Sequence, residues 1–220
     1  MKNSMLKNGL ILAGFALATT AIIAVTFSGT KDTIAQQQIQ KRLSILSAII
    51  PKNSFDNDIQ HSCVLTSNSD LLGTNEPQRA YLGWQNGQPS VVAIEAIAPN
   101  GYSGKIAIIV GTKLDGSVTG VRVLDHKETP GLGDKIELRV NDWILSFSGE
   151  TVTTENSDQW QVKKDGGQFD QFTGATITPR AVVKAVRNAV LYVKQEQQAL
   201  FESASSCELD ITDAHVEEVD

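Results

Sequence analysis

Cysteine is nearly missing from this chain: Cys63 and Cys207 are the only two in 220 residues. They fall far apart and in no C-x-x-C or metal-spaced cluster, which excludes an iron–sulfur or structural zinc ligand set built within the chain. No G-x-G-x-x-G follows a strand-like run, so no nicotinamide site of the dinucleotide-binding kind is visible. Basic charge is not in excess. The formal net charge is −6, which argues against nucleic acid as a partner. Internal repeats are absent, and no recognisable constellation for stand-alone catalysis on a small substrate is present.

Charge is missing altogether from one stretch. Gly9 to Phe27 reads GLILAGFALATTAIIAVTF, and about 20 apolar residues at a rise of ~1.5 Å span a bilayer core. Lys2 and Lys7 precede it, which predicts an N-terminus in the cytoplasm and the remainder outside. A cleaved signal peptide is the alternative. The apolar run is longer than a usual signal core, and Ala24-Val25-Thr26 is a poor cleavage site. Residues 1–30 are therefore read as a membrane anchor in contact with lipid. Residues 31–51 form a connecting helix with a rough apolar face that Pro51 ends.

Residues 52–201 read as one α+β domain, with 52–80 polar and loop-rich. Ala80 to Leu82, Val91 to Ala98, Ile106 to Gly111 and Ser117 to Leu124 read as strands, and Asp115-Gly116 marks an antiparallel hairpin. Trp143 to Phe147 forms an apolar patch, and Thr151 to Asp158 a polar loop. Val182, Val183, Val186, Val190 and Val193 recur at helical spacing. Thr178 is read as the N-cap of that helix and Pro179 as its first residue. Residues 202–220 hold seven acids and no Lys or Arg, and read as a solvated tail. In an oxidising compartment Cys63 and Cys207 could pair; two free thiols are the other reading.

Two segments carry candidate chemistry. Asp170-Gln171-Phe172-Thr173-Gly174-Ala175-Thr176 places hydroxyls around a Gly-Ala pair at the start of that helix. The free N–H groups and dipole of a helix N-terminus favour an anion such as phosphate, and the Gly174 backbone allows close approach. An ordinary turn and helix cap fits the same residues. The second segment, His126-Lys127-Glu128-Thr129-Pro130-Gly131-Leu132-Gly133-Asp134, is a turn-forming loop at a strand end, where binding residues are often carried. By itself it too could be a simple turn.

Taken together with the N-terminal anchor, GYSG at 101–104, HKETPGLGDKIE at 126–137, the run from Trp160 to Gly167 and DQFTGATITPRAVV at 170–183 give a resemblance that covers nearly the whole chain, less the acidic tail. The chain resembles the G-type subunit of the Rnf/Rsx ion-translocating electron-transport complex. More broadly, it resembles the FMN-binding domain shared with the C-type subunit of the sodium-pumping NADH:quinone oxidoreductase. The resemblance implies a periplasmic domain on an inner-membrane anchor. It implies FMN attached covalently, as a phosphoester of Thr176, by a flavin transferase that uses FAD as donor. It implies an electron-relay subunit, not a stand-alone enzyme, with the other subunits of the complex as partners.

Thr173, Gly174, Ala175 and Thr178 are expected to surround the phosphate. Thr129, Gly131, Leu132 and Gly133 are expected as the second wall, and Lys163 or Lys164 as a cation touching the cofactor. Asp170 fits recognition by the transferase better than phosphate binding, because like charges repel. His126 could contact the flavin or be a hydrogen-bonded structural residue. Tyr102 could stack on the cofactor or fill the core, and is read as core; Glu128 is read as a residue that orients its loop. The competing reading of the whole chain is a membrane-anchored binding or scaffold protein without covalent flavin.

Overall fold

The computed structural model describes residues 2–153, 155–203 and 207. The acidic tail predicted from residue 202 lies almost wholly outside them.

Helix α1 (Lys2–Ile49) is continuous, so the predicted anchor and connecting helix are one element. Met5–Lys31 is long and apolar enough to cross a membrane, with a mean hydropathy of 2.3. Its large side chains, among them Leu10, Leu12, Phe15, Ile22 and Ile23, are exposed. A helix that is apolar all round and exposed along its length is what a lipid environment accommodates.

The folded unit begins at Leu43. Its centre is an antiparallel meander of β1 (Cys63–Asn68), β2 (Thr74–Gln85), β3 (Gln88–Gly101), β4 (Gly104–Lys113) and β5 (Val118–Asp125), in the order β1-β2-β3-β4-β5. Side chains alternate across a strand, and both faces of this sheet are buried. Leu82, Val92, Ile94, Ala96, Ile106, Ile108 and Val110 face the main core. Tyr81, Val91, Ala93 and Ile109 face a smaller one.

The main core is closed by α2 (Ile177–Glu202), through Val182, Val183, Val186, Val190 and Val193, and by an aromatic group from the segment before it. The smaller core is closed by the last turn of α1, through Leu46 and Ile49. Gly111 pairs with Gly120 across β4 and β5, and a Cβ at either would stand 2.9 Å from Ile49 backbone atoms. Two facing glycines thus make the flat place on which Ile49 lies.

Cys63, at the start of β1, is disulfide-bonded to Cys207, 144 residues away. This selects the paired reading of the two cysteines.

Three expectations are corrected. Part of the region read as loops, 52–80, forms β1 and the first half of β2; β1 is an edge strand whose second half, Thr66 to Asn68, is polar, so its pairing with β2 makes that half a strand. Tyr102 is 68% exposed, not core, because it occupies the β3–β4 turn. Thr178 is not the N-cap. Helix α2 starts at Ile177 with Thr176 at the N-cap position, and Thr178 and Pro179 are the second and third helical residues. Pro179 remains in the first turn, where its missing N–H leaves no helical bond unmade.

Candidate functional site

At one end of the sheet the β3–β4 turn, the segment leaving β5 and the start of α2 converge. Between them is a cavity of about 290 Å³ lined by Tyr102, Glu128, Thr129, Leu132, Gly133 and Gly174 to Thr178. Its volume is near the lower limit of clefts that hold cofactor-sized molecules.

Two turns of the same kind form facing walls. In the first, the Leu132 N–H donates to the Thr129 carbonyl at 3.1 Å and Gly131 has φ +78°. In the second, the Ala175 N–H donates to the Phe172 carbonyl at 3.1 Å and Gly174 has φ +81°. Glycine at positive φ in the third position, with proline at the second position of the first turn, is the type II pattern. A Cβ on Gly174 would lie 3.6 Å from Leu132 Cδ2, so the tips of the two turns nearly touch.

The second turn is anchored from behind. The Trp143 indole N–H donates to the Asp170 carbonyl at 2.8 Å. Trp143 packs edge-on against Phe172 and Phe147, with ring centroids 5.0 and 5.2 Å apart. Phe147 stacks on Phe169 at 4.6 Å. Aromatic pairs of this geometry add to the area they bury. They hold the loop rigid up to Thr176. Thr176 itself is half-buried, and its side chain makes no capping hydrogen bond.

Glu128 joins the walls. It is 4% exposed. Its Oε1 accepts the Ser103 backbone N–H at 2.9 Å, and its Oε2 accepts the hydroxyl of Thr178, which is 1% exposed. One carboxylate therefore ties the β3–β4 turn to the first turn of α2. Two glycines make room for it: a Cβ on Gly101 would stand 2.9 Å from Oε1, and one on Gly133 2.7 Å from Oε2.

His126 stands behind this carboxylate. Its Nδ1 accepts the Glu128 backbone N–H at 2.9 Å, which fixes the ring proton on Nε2, 2.6 Å from Glu137 Oε1. The ring is a structural bridge here, one of the two roles open to it from sequence. Arg139, hydrogen-bonded to Glu137, and then His126 hold the Glu137 carboxyl down at about 2.

Of the residues expected from sequence, Thr129, Leu132, Gly133, Gly174, Ala175, Thr176 and Thr178 line one cavity. Gly131 and Thr173 are in the two turns but do not line it. Lys163 is outside it, with its Nζ 2.7 Å from Asp170 Oδ1 in an exposed ion pair. Lys164 does not line it either. Tyr102, read as core, lines the cavity too, as do Glu128, read as orienting its loop, and Ile177, which sequence reasoning did not single out. For Glu128 the available signal was an acid next to a turn rich in glycine and proline.

Residues 101–191, which include the whole lining of the cavity, match the family described as FMN-binding domain. Residues 1–49 match the RnfG N-terminal region. Among curated proteins, the chain is similar to three that are named as the G component of an ion-translocating oxidoreductase complex. The one from Vibrio atlanticus is 56% identical, over 94% of this chain and 99% of its own length. The Pseudoalteromonas atlantica protein is 53% identical, over 94% and 96%, and the Shewanella amazonensis protein 50%, over 94% and 97%.

Proposed function

This chain belongs to the RnfG family, the G components of ion-translocating oxidoreductase complexes, and on that premise we propose that it is an electron-relay subunit whose FMN is joined by a phosphoester to Thr176. The observation that carries the reading is the position of Thr176. Its side chain makes no capping bond, and it lies at the mouth of a helix and on the wall of a cofactor-sized cavity.

The residues fit the group. A phosphoester needs a hydroxyl. The resulting negative charge would lie beside the free N–H groups and positive dipole end of α2. The Gly174 turn leaves the approach to Thr176 open, while Leu132, Ala175 and Ile177 offer apolar surface for a ring. In attachment, the Thr176 oxygen forms a bond to the flavin-side phosphorus of FAD. The pyrophosphate bond breaks, AMP leaves, and the hydroxyl proton is released. Asp170, exposed and paired with Lys163, is the residue we assign to recognition by the transferase that catalyses this step.

Bound flavin accepts electrons singly or in pairs, so it supplies a link between one- and two-electron carriers. The chain's own contribution is to hold it. The two turns fix its position, the Trp143 group stiffens the loop that bears it, and the exposed Tyr102 ring stands at the rim. The other members of the complex supply electron entry and exit. The apolar part of α1 anchors the protein in lipid. Lys2 and Lys7 before that run support a cytoplasmic N-terminus, and the Cys63–Cys207 disulfide supports an oxidising, periplasmic setting for the folded unit on the far side of the inner membrane.

The test is mass spectrometry of the peptide containing Thr176, from cells with an active flavin transferase. The expected mass is that of the peptide plus FMN less water, and Thr176→Ala abolishes the fluorescent band on a denaturing gel. An unmodified wild-type peptide, or covalent flavin persisting in the variant, refutes the assignment.

A further inference from the structure

One group in the cavity has no part in the covalent attachment. Glu128 is a carboxylate enclosed by protein on the wall shared with Thr176. Both its oxygens are held by neutral donors, the Ser103 N–H and the Thr178 hydroxyl. Burying a carboxylate is costly, and neutral hydrogen bonds offset only part of that cost. A carboxylate serving only to join two loops could be replaced by an amide of the same shape. What distinguishes it is charge, in a place where the surrounding dielectric is low and charge acts strongly on a neighbour.

We propose that Glu128 sets the reduction potential of the flavin: its buried negative charge, clamped by Thr178 and Ser103, opposes electron uptake in the cavity and holds the potential low. The proposal rests on the reading of the cavity as the flavin site. The physical chain is short. Taking up one electron without a proton adds one negative charge to the flavin ring system. A fixed carboxylate lining the same cavity of about 290 Å³ raises the free energy of the reduced form relative to the oxidised form. Thr178 moderates the effect, because its hydroxyl dipole stabilises the carboxylate and offsets part of its field. His126 holds the Glu128 backbone, and Gly101 and Gly133 admit the carboxylate at close range, so the charge cannot swing out to solvent.

The experiment is a redox titration of the full-length flavinylated protein, with dithionite and mediator dyes, followed by flavin absorbance. Glu128→Gln keeps the shape: its amide oxygen can accept the Ser103 N–H and its amide N–H can donate to the Thr178 hydroxyl oxygen, so both contacts persist, one with its direction reversed, while the charge goes. It is expected to retain covalent flavin and to favour the reduced form at least tenfold. That is a positive shift of ~59 mV or more for a one-electron couple. Thr178→Val, titrated at alkaline pH so that the carboxyl stays ionised, removes the hydroxyl that offsets the charge and is expected to shift the potential the other way.

Opposite signs separate a charge effect from a loosened pocket, which would move both variants alike. An unchanged or more negative potential in Glu128→Gln overturns the proposal. Should that variant fail to take up flavin, Thr178→Val decides alone: a negative shift supports the proposal, and no shift or a positive one overturns it. A wild-type protein without flavin on Thr176 overturns the reading of the site itself and this inference with it. Flavin present with an unaltered potential overturns this inference alone.

Discussion

Gly133→Ala adds one methyl group and is expected to destabilise the folded unit severely. Gly133 is buried, and its new Cβ would stand 2.7 Å from Glu128 Oε2, 2.9 Å from Glu128 Cβ and 3.0 Å from Thr178 Oγ1. Neither Glu128 nor Thr178 can move freely, because each holds the other and Glu128 also holds Ser103. Overpacking costs about 1–3 kcal/mol. Displacing the carboxylate puts at risk a charge-assisted hydrogen bond of about 1.5–3 kcal/mol. A net loss of about 3 kcal/mol lowers the unfolding midpoint of a chain of this size by roughly 6–12 °C.

The neighbouring Gly131→Ala is the control. Its Cβ meets nothing within 4 Å, and the cost comes from the φ of +78°, about 1–2 kcal/mol. The assay is thermal unfolding of the full chain in detergent, followed by circular dichroism. Adding Glu128→Ala to Gly133→Ala removes the nearest obstacle, so the double variant should lose less than the sum of the two single losses. If Gly131→Ala is the more damaging variant, or if the double variant is strictly additive, the account of this knot is wrong.

The Cys63–Cys207 bond closes a separation of 144 residues, and Cys63→Ser is expected to cost about 2–5 kcal/mol; urea unfolding with and without reductant measures it, and a reductant-insensitive wild-type midpoint refutes it. Stability is expected to fall in acid. Glu137 is held at about 2, first by Arg139 and then by His126, against an ordinary value of 4.5. A carboxyl whose folded value is depressed contributes fully above its unfolded value, and that contribution is lost as pH drops from about 4.5 towards 2. Glu137→Gln should flatten the unfolding midpoint over that window, and an unchanged slope counts against the cause named. Trp143→Phe removes the bond to the Asp170 carbonyl, worth about 1 kcal/mol, and should raise amide exchange around residues 170–175 selectively.

The sequence was legible where periodicity is strong. The valines of α2 are buried at their helical spacing, and the continuous apolar runs of β3 and β4 are strands buried on both faces. It was illegible where long-range contacts decide. β1 carries Thr66, Ser67 and Asn68, residues that read as loop, and is ordered by pairing with β2 and by the disulfide from Cys63. Tyr102 belongs to a hairpin turn whose direction no local pattern reveals. Thr176 and Thr178 are both good caps on local grounds. Thr178 is drawn into the first turn of α2 instead, because its hydroxyl has a partner 50 residues earlier, Glu128.

The same distinction explains why the T-G-A-T run alone is weak evidence of a cofactor site. Its turn is local, made by the Phe172–Ala175 hydrogen bond and the positive φ of Gly174, and such turns are common. The opposite wall comes from Thr129 to Gly133, and the tie between walls from Glu128, which reaches Ser103 across 25 residues and Thr178 across 50. None of these contacts forms until the sheet has brought the β3–β4 turn and the end of β5 to the start of α2. The loop bearing Thr176 is likewise held only once Trp143 has reached the Asp170 carbonyl. Thr176 therefore gains its enclosed setting from the folded domain and not from its own motif. A short peptide carrying the motif would present the hydroxyl without the cavity.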